Sequence, residues 1–415
     1  MKRYCKKIDV TDRELISVAV YTCLDKKITR NDTIKLFSDT SGLTANQVRC
    51  IHHRYGETAI YWIIEAVIDD MRQELINKNM SFPPIWNKHR IDPSSHKDRK
   101  IGIQNIKQQL YDYVAVEALK PLTKRIGRHQ YASIKGRGPV AGVRTIRRWM
   151  RNRSIRYVGK ADIKKCYESI KKENMMAYLQ KYVANDELLW LIDALLSTFD
   201  TGLSIGSYLS QTLCNLYMSQ LYHEISENMY RIRKHRDGTE SRVNLVSHVL
   251  IYMDDIFICG TSAKDLHKAM GLIRKYAENT MGLKVKEGWC VHKCDTKSRR
   301  DDRNFVDMMG FRIYRWHLTI RRRVFLRIRR AYRRAKKLIM IHRKIPVYLA
   351  RRCLSYLGQI METNSERLIA EYHVCSVSNI CKRMVRRFDK SKIFKTSRKD
   401  QSNTSWWKNV CVPVS

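Results

Sequence analysis

The first ninety residues carry apolar positions at the spacing of amphipathic helices, most clearly from Ala59 to Leu75. Thr11-Asp12-Arg13-Glu14 has the pattern of a capping box ahead of an apolar stretch. We therefore predict a helical N-terminal extension over residues 1–90, in which no chemistry is evident. A Pro- and Ser-rich stretch from Pro83 to Ser95 places the predicted boundary near residue 90.

The pattern changes between residues 91 and 315, where helical and strand-like stretches alternate. Ile106 to Leu119 and Asp186 to Leu196 have helical spacing, whereas RYVGKADI (residues 156–163) and SHVLIYMDDIFICG (residues 247–260) are short β-rich runs. This mixture predicts an α+β fold for the segment.

A strongly basic helix is predicted next, within a helical segment over residues 316–392. Arg321 to Met340 holds ten Lys or Arg among twenty residues and no acid, with an apolar stripe on one face. We interpret the basic face as a nucleic-acid surface, the alternative being an ordinary solvated face. The candidate contacts are Arg321, Arg322, Arg323, Arg327, Arg330 and Arg334. Residues 393–415 read as a polar tail, weakly ordered or dependent on a partner.

The net charge of +40 indicates a polyanionic partner, for which nucleic acid is the leading interpretation. The alternatives are that the protein binds anionic lipid, or that it tolerates its charge without such a partner. Twelve cysteines without a C-x-x-C pair indicate a reducing compartment, and no apolar run reaches membrane-spanning length. We expect a cytoplasmic protein without membrane contact. Cys290, His292 and Cys294 could be imagined as metal ligands, but no fourth ligand with suitable spacing is evident.

Two adjacent acids, Asp254 and Asp255, lie in a tight turn between apolar strands from His248 to Cys259. Ionised carboxylates in so apolar a setting need cations to stay charged, and Mg²⁺ prefers oxygen ligands. Asp162 ends another strand-like run, 92 residues before Asp254, and could join them around two Mg²⁺ ions about 4 Å apart. The alternative is an ordinary hairpin turn that happens to contain aspartates, together with a strand-end cap.

These motifs resemble, in order, the palm motifs of reverse transcriptases: Asp162 with Tyr167, then Gly202 to Gln211, then Tyr252-Met253-Asp254-Asp255 in a hydrophobic hairpin. Lys97 to Ile103 and Ala132 to Gly138 are similar to the fingers segments of the bacterial, group II intron-like branch. The resemblance implies an RNA-directed DNA polymerase with a right-hand fold, fingers and palm over residues 91–315 and a helical thumb over 316–392.

Within that branch, Ser204-Ile205-Gly206 and Ser210-Gln211 stand where group II intron enzymes have Pro-Gln-Gly and Ser-Pro. The pattern resembles the enzymes of diversity-generating retroelements, which copy a template RNA with errors at adenine. Ile205 in place of Gln removes a polar group near the nascent pair, and this implies lower fidelity.

The resemblance also implies roles for individual residues. Tyr167 would exclude a 2′-hydroxyl unless it is an ordinary buried aromatic, and Lys97 and Arg99 would clamp the triphosphate unless they are solvated surface. Lys286 would protonate the departing pyrophosphate. The remaining assignments are Ile163 to the metal site, Ile205, Gly206 and Gln211 to the nucleotide, and Tyr252, Met253 and Gly310 to nucleic acid. For Gly206 and its neighbours the alternative is a helix N-terminus with a routine Ser cap.

The implied partners are a structured RNA template, a DNA or RNA primer, dNTPs and two Mg²⁺ ions, with a small basic accessory protein in the retroelement type. A bacterial or phage origin follows from the same branch. Antiphage defence reverse transcriptases, which use an associated non-coding RNA and often carry extra helices, remain an alternative. A non-catalytic RNA-binding or maturase-like scaffold is a second one, against which the presence of all three carboxylates argues.

Overall fold

The structure is a computed structural model that describes residues 2–91, 98–294 and 305–399. No helix in these ranges combines the length and the apolar character that crossing a membrane requires. The helices in the described residues are α1 (Arg13–Leu24), α2 (Asn31–Ser41), α3 (Ala45–Tyr55), α4 (Tyr61–Ile76), α5 (Ile106–Ala118), α6 (Pro139–Arg151), α7 (Cys166–Ser169), α8 (Lys172–Tyr182), α9 (Asp186–Leu196), α10 (Tyr208–His223), α11 (Ala263–Asn279), α12 (Arg322–His342), α13 (Val347–Glu362), α14 (Glu366–Glu371) and α15 (Val374–Lys399).

The strands fall into four sheets in the described residues. They are β1 (Trp86–Ile91), β2 (Asp98–Ile103), β3 (Gln130–Tyr131), β4 (Tyr157–Asp162), β5 (Tyr230–Lys234), β6 (Glu240–Asn244), β7 (His248–Tyr252), β8 (Asp255–Gly260), β9 (Cys290–Lys293), β10 (Val306–Met308), β11 (Phe311–Ile313) and β12 (Leu318–Ile320). The predicted α+β class is confirmed.

The central sheet has five strands in the order β3-β7-β8-β4-β9. β7 and β8 form an antiparallel hairpin, and β4 pairs antiparallel with β8 from Tyr157 opposite Gly260 to Asp162 opposite Asp255. The two β-rich runs of the sequence therefore lie side by side. Parallel pairing of β3 with β7 and antiparallel pairing of β9 with β4 complete the sheet.

Helices cover this sheet, which explains why β7 and β8 are apolar along most of their length rather than alternating. α11 packs against β4, β8 and β9, whereas α6 and α10 pack against β7. Leu250 and Phe257 are fully buried in a core that also holds Trp149 from α6 and Phe311 from β11. The burial fixes the register, because a shift by one residue would turn these side chains away from their helices.

The other sheets are smaller: the hairpins β1–β2 and β5–β6, and the three-stranded sheet β10-β11-β12. The predicted junction near residue 90 falls within β1, whose residues pair with β2 from Trp86 opposite Ile103 to Ile91 opposite Asp98. The predicted domain boundaries at residues 90, 315 and 392 stay predictions.

The chain divides into two compact units. The first consists of the chain up to Cys23, Arg72–Arg321 and Glu362–Asn364, and it contains all four sheets of the described residues. The second consists of Leu24–Met71, Arg322–Met361 and the chain from Ser365 on. Inside the second unit α3 packs against α15, and α12 packs against the same helix. The Tyr332 hydroxyl on α12 donates to the Cys353 carbonyl at 3.0 Å in its core.

The capping box predicted at Thr11 is wrong. α1 begins at Arg13, and the Asp12 carboxylate accepts the Glu14 amide at 3.1 Å, so Asp12 occupies the position expected for Thr11. Thr11 instead donates to the Asp9 carboxylate at 2.7 Å, because an Asp two residues earlier offers its hydroxyl a local acceptor. A capping box is present at α3, where Thr44 and Gln47 satisfy each other.

Candidate active site

Three carboxylates meet where β4 ends beside the β7–β8 turn. Asp162 is the register partner of Asp255, and the amide of the next residue, Ile163, donates to the Asp254 carbonyl at 2.9 Å. The turn itself is two residues long, and Met253 adopts a φ of 54° in it. A positive φ is uncommon for a residue with a side chain and is found at sites where neighbouring structure enforces it.

The surroundings of this turn disfavour the ionised forms of Asp254 and Asp255. Burial, followed by the negative charges of Asp255 and Asp162, raises the pKa of Asp254 to about 6. Burial also raises the pKa of Asp255, and the Lys160 ammonium opposes that rise. A cation near the turn would keep these groups ionised at neutral pH.

Two lysines supply positive charge to the carboxylates. Lys286 donates its ammonium to the Asp162 carboxylate and its backbone amide to the Asp162 carbonyl at 2.8 Å. The Lys160 ammonium lies 3.1 Å from Asp255 Oδ1 and donates to the Asp307 carbonyl at 2.8 Å. Arg321 Nε in turn donates to the Asp307 carboxylate at 2.6 Å.

Lys160 and Asp307 were missed by the sequence reasoning. A signal for Lys160 existed, since it lies two residues before Asp162 on a strand and therefore on the same face of the sheet. Asp307 offered none, because its contact with Lys160 joins residues 147 apart in the chain.

The donor set fits a divalent metal in its chemistry, because three carboxylates provide only oxygen ligands. In the described part of the chain, however, no group of three or more His, Cys, Asp or Glu is arranged to hold a metal ion. Asp162 and Asp255 are each bonded to a lysine. Metal binding would thus require these carboxylates to exchange the lysines for the ion. The same finding covers Cys290 and His292, whose Sγ and Nδ1 lie 3.9 Å apart.

Tyr167 lies beside the turn, where its hydroxyl contacts Met253 Sδ at 3.8 Å. Burial raises its pKa, so the phenol stays neutral. The Tyr167 carbonyl accepts the Leu203 amide at 2.9 Å, which connects the helix after β4 to the loop before α10. The half-buried ring is therefore next to the carboxylates rather than deep in the core.

The glycine loop before α10 is held by contacts within the chain. Gly206 has a φ of 121°, and a Cβ there would lie 2.5 Å from the Gly102 carbonyl oxygen on β2. The Gly102 amide donates to the Ile205 carbonyl at 2.9 Å. The close approach that Gly206 permits in this structure is to β2, and its assignment to the nucleotide stays a prediction.

Ser207 is the N-cap residue of α10. A serine cap at a helix N-terminus was the alternative interpretation of this segment of the sequence. Its hydroxyl accepts the Ser210 amide at 3.0 Å and donates to the buried Asp112 carboxylate at 2.7 Å. Burial raises the pKa of Asp112 to about 6, although the Ser207 hydrogen bond opposes the rise. Gln211 lies half-buried in the first turn of the same helix.

Residues 87–361 match the family described as reverse transcriptase (RNA-dependent DNA polymerase). The chain belongs to the reverse transcriptase family. The match spans about two thirds of the 415 residues. Reverse transcriptases copy an RNA template from a primer and generally use divalent metal ions, so this chain is an RNA-directed DNA polymerase.

Among solved structures, the chain is similar to apo telomerase from Candida tropicalis truncated from its C-terminal domain. The identity is 12%, the TM-score is 0.40, and the alignment covers 69% of this chain and 73% of the telomerase chain. No curated protein sequence matches the chain.

Of the two residues predicted to clamp the triphosphate, Arg99 lies on β2. Arg99 is exposed and stands opposite Arg90 on β1, while the neighbouring Lys100 pairs with Asp200 at 2.7 Å. Lys97 lies outside the described residues.

Gly310, which the sequence assigned to nucleic acid, lies with Met309 in the turn of the β10–β11 hairpin, at φ values of 87° and 54°. The Gly310 carbonyl accepts the Arg321 amide at 3.1 Å, so Arg321 holds both this turn and Asp307. Tyr252, half-buried at the end of β7, contributes to the apolar core around β10 and β11.

The predicted basic helix of the reverse transcriptase is confirmed as α12. Ile328, Ala331 and Ala335 of the expected stripe are buried, and Val324 and Leu338 are half-buried. The candidate arginines divide between exposed and half-buried positions. Arg322, Arg323, Arg330 and Arg334 are exposed, and Arg327 is half-buried.

Proposed function

We propose that this reverse transcriptase makes cDNA from a cognate RNA by nucleotidyl transfer at Asp162, Asp254 and Asp255. The observation that carries the proposal is the register of β4 against β8, which puts Asp162 directly opposite Asp255. Convergence of three acids from distant parts of the chain costs electrostatic free energy, and structural roles alone do not require it.

Asp162, Asp254 and Asp255 would hold two Mg²⁺ ions, with Ile163 contributing from the backbone. When bound, the ions would lower the pKa of the primer 3′-hydroxyl and stabilise charge on the triphosphate. The chain's own residues prepare this site. Lys160 and Lys286 offset repulsion among the acids, and release of these lysines would free the carboxylates to act as ligands.

The residues around the carboxylates would then position the substrates. Lys286 beside Asp162 could protonate the departing pyrophosphate once it has left that carboxylate. Tyr167, next to Met253, would stack under the sugar and exclude a 2′-hydroxyl. Lys97 and Arg99 would clamp the triphosphate, and Ile205 and Gln211 would border the nascent pair.

For nucleic acid, we assign Tyr252, Met253 and Gly310 to the primer strand. The exposed arginines of α12 are assigned to phosphates, with fingers and palm over residues 91–315 and a thumb over 316–392. Because α12 lacks acids from Arg322 to His342, intrahelical ion pairs do not offset its charge.

We favour an error-prone enzyme of a diversity-generating retroelement, with a small basic accessory protein as partner, in the cytoplasm of a bacterium or encoded by a phage. Ile205 offers no hydrogen bond to penalise a wrong base geometry. The test is misincorporation opposite template adenine by the parent and by Ile205→Gln. Equal error at adenine and at the other template bases in the parent would remove this assignment.

An antiphage defence enzyme that uses an associated non-coding RNA is the second candidate. The observation that favours it is that residues 24–71 form one compact unit with the C-terminal helices, as an elaborated extension would. Sequencing the RNA that copurifies with the protein separates the two, since a retroelement template repeats a target gene and a defence RNA does not.

The catalytic proposal is tested by primer extension on an RNA template with Mg²⁺, comparing the parent with Asp254→Asn plus Asp255→Asn. We expect extension to be lost while RNA affinity stays within about twofold, because the isosteric amides keep the turn intact. Equal extension by both proteins would contradict the carboxylate assignment. RNA binding without extension by the parent would favour the scaffold alternative.

A further inference from the structure

The hairpin β5–β6 stands apart from the rest of the first unit. Its strands pair only with each other among the described strands, from Tyr230 opposite Asn244 to Lys234 opposite Glu240. It follows a π-helical turn, Glu224–Asn228, and leads directly into β7. Every residue from Arg231 to Glu240 is exposed. An isolated two-stranded hairpin is marginally stable in water, so its order depends on contacts at its base and on whatever binds it.

Positive charge dominates the hairpin. Residues 230–244 contain five Arg or Lys and two acids, and His235 as well. Three of the basic residues have partners: Arg231 with Asp265 at 3.2 Å, Lys234 with Glu240 at 3.4 Å, and Arg242, which lies over the Tyr230 ring at 4.5 Å. The side chains of Arg233 and Arg236 make no hydrogen bond or ion pair with any described residue.

Alternation along β5 puts Arg231 and Arg233 on one face. Their Cα atoms are about 6.8 Å apart, the rise of two residues along a strand. Asp265 pairs with Arg231, whereas phosphates would satisfy the guanidinium donors of Arg233 and Arg236. An acidic protein segment could do the same, but a chain with a net charge of +40 that copies RNA meets phosphates in every reaction cycle.

The position of the hairpin determines which part of the RNA it can reach. It joins the start of β7, whereas the Asp254–Asp255 turn follows the end of β7. The five residues of β7 span about 15 Å, which corresponds to roughly four nucleotides of a helical strand. The base of the hairpin therefore lies about 15 Å along β7 from the Asp254–Asp255 turn.

We propose that β5–β6 binds the phosphate backbone of RNA outside the polymerase cleft, through Arg233 and Arg236. The hairpin anchors the RNA that supplies the template. This contact does not depend on the assignment of the catalytic residues. Charge and donor geometry carry the contact, so recognition is of backbone rather than base sequence.

The test is Arg233→Gln plus Arg236→Gln in the full chain. The matched control is Arg151→Gln plus Arg153→Gln, which removes the same charge from two exposed arginines of the same unit. The probes are a fluorescein-labelled RNA duplex of about 20 base pairs and a single strand of the same length, titrated over a range of KCl. Each lost phosphate contact lowers the slope of log affinity against log salt by about 0.9 on a duplex or 0.7 on a single strand.

On at least one probe, we expect the slope of log affinity against log salt to be smaller by about one to two for the hairpin variant than for the parent. We expect the affinity of the variant to be roughly threefold to tenfold lower. The RNA affinity of the control variant should stay within about twofold of that of the parent. The probe that responds identifies duplex or single-stranded RNA as the ligand. Equal slopes for the hairpin variant and the control on both probes would overturn the proposal, since binding would then depend on net charge alone.

Primer extension on a short template separates this proposal from the catalytic one. The hairpin variant should extend a short primed template at the parental rate, because nothing at the carboxylates has changed. A parent that extends the primer, together with unchanged salt slopes, defeats the hairpin proposal and leaves the polymerase function standing. Thermal unfolding of each variant checks that the fold is retained.

Discussion

Two antiparallel hairpins follow one another along the chain, and they differ in almost everything except topology. In β5–β6 the residues from Arg231 to Glu240 are exposed, whereas in β8 every residue from Ile256 to Gly260 is buried. The turn of the first contains Asp237 and Gly238, and the turn of the second contains Met253 and Asp254. Each turn thus holds an aspartate in a contrasting environment.

The two aspartates show what that environment does. Hydrogen bonds from the Thr239 side chain and amide lower the pKa of the exposed Asp237. Burial and neighbouring acids raise the pKa of Asp254 to about 6. The exposed turn of β5–β6 stabilises the ionised form of Asp237. The buried turn of β7–β8 destabilises the ionised form of Asp254, which therefore needs a nearby cation to stay charged at neutral pH. This difference supports the proposal that catalysis takes place at the second hairpin.

The largest expected effect comes from removing one carboxylate in each turn. Asp254→Asn should lower the rate of primer extension by about a thousandfold, or roughly 4 kcal/mol of transition-state stabilisation. Asp237→Asn should change it by less than about twofold, because its partners lie within its own turn. Single-turnover extension on a short RNA template measures both. Similar losses for the two variants would break the contrast between the hairpins.

The next effect concerns Lys160, which connects Asp255 to β10. Lys160→Met removes the charge that opposes the raised pKa of Asp255 and the bond to the Asp307 carbonyl. We expect about a tenfold slower extension, roughly 1.4 kcal/mol, with Lys160→Arg recovering most of the rate. Lys171→Met, at an exposed position, is the control. No recovery by arginine would mean that packing rather than charge is lost.

A third prediction follows from the sign of the Asp254 shift. An aspartate in an unfolded chain has a pKa of about 3.9, so the folded state binds the proton more readily. The unfolding free energy of the metal-free protein should therefore rise as the pH falls from about 6 towards 4, by on the order of 1–2 kcal/mol from this group.

In Asp254→Asn this contribution is absent. The variant's thermal midpoint should exceed the parent's at pH above about 7 and approach it near pH 4. Asp112, whose pKa burial also raises to about 6, is present in both proteins and cancels in the difference. Asp237 should give the opposite sign, since its lowered pKa means that stability is lost when it is protonated in acid. A pH-independent difference between parent and variant would contradict the shift.

The smallest effect compares the same substitution in both hairpins. Ile258→Val removes a methylene from a fully buried position of β8 and should cost about 1 kcal/mol. Ile232→Val acts on a side chain that is 47% exposed and should change stability by less than about 0.5 kcal/mol. Urea unfolding midpoints report both. Equal costs would indicate that β5–β6 is buried in solution.

The sequence predicted the parts of this fold whose signals are local. α9 has the predicted bounds, Asp186–Leu196, and the two β-rich runs became β4 and the β7–β8 hairpin. Their apolar runs are continuous because helices cover the sheet, and such runs are visible without any partner. The β5–β6 hairpin could also have been predicted, since alternation around Asp237-Gly238 is a hairpin signal.

The approach of Asp162 to the Asp254–Asp255 turn was predicted, but other features that depend on distant partners were not. Lys286 meets Asp162 across 124 residues, and Gly206 approaches Gly102 across another long interval. The spacing of apolar residues carries no information about such pairs. The same is true of the association of residues 24–71 with the C-terminal helices, because an amphipathic face does not specify which other face it will meet.

That association has a consequence for synthesis on the ribosome. Met71 and Arg322 are 251 residues apart, so helices in residues 24–71 emerge long before α12 and α15 exist. At elongation rates of about 5–20 residues per second, the delay is roughly 12–50 seconds. During that interval α3 can pack against α2 but lacks its contact with α15, which forms only after the last helix has been synthesised.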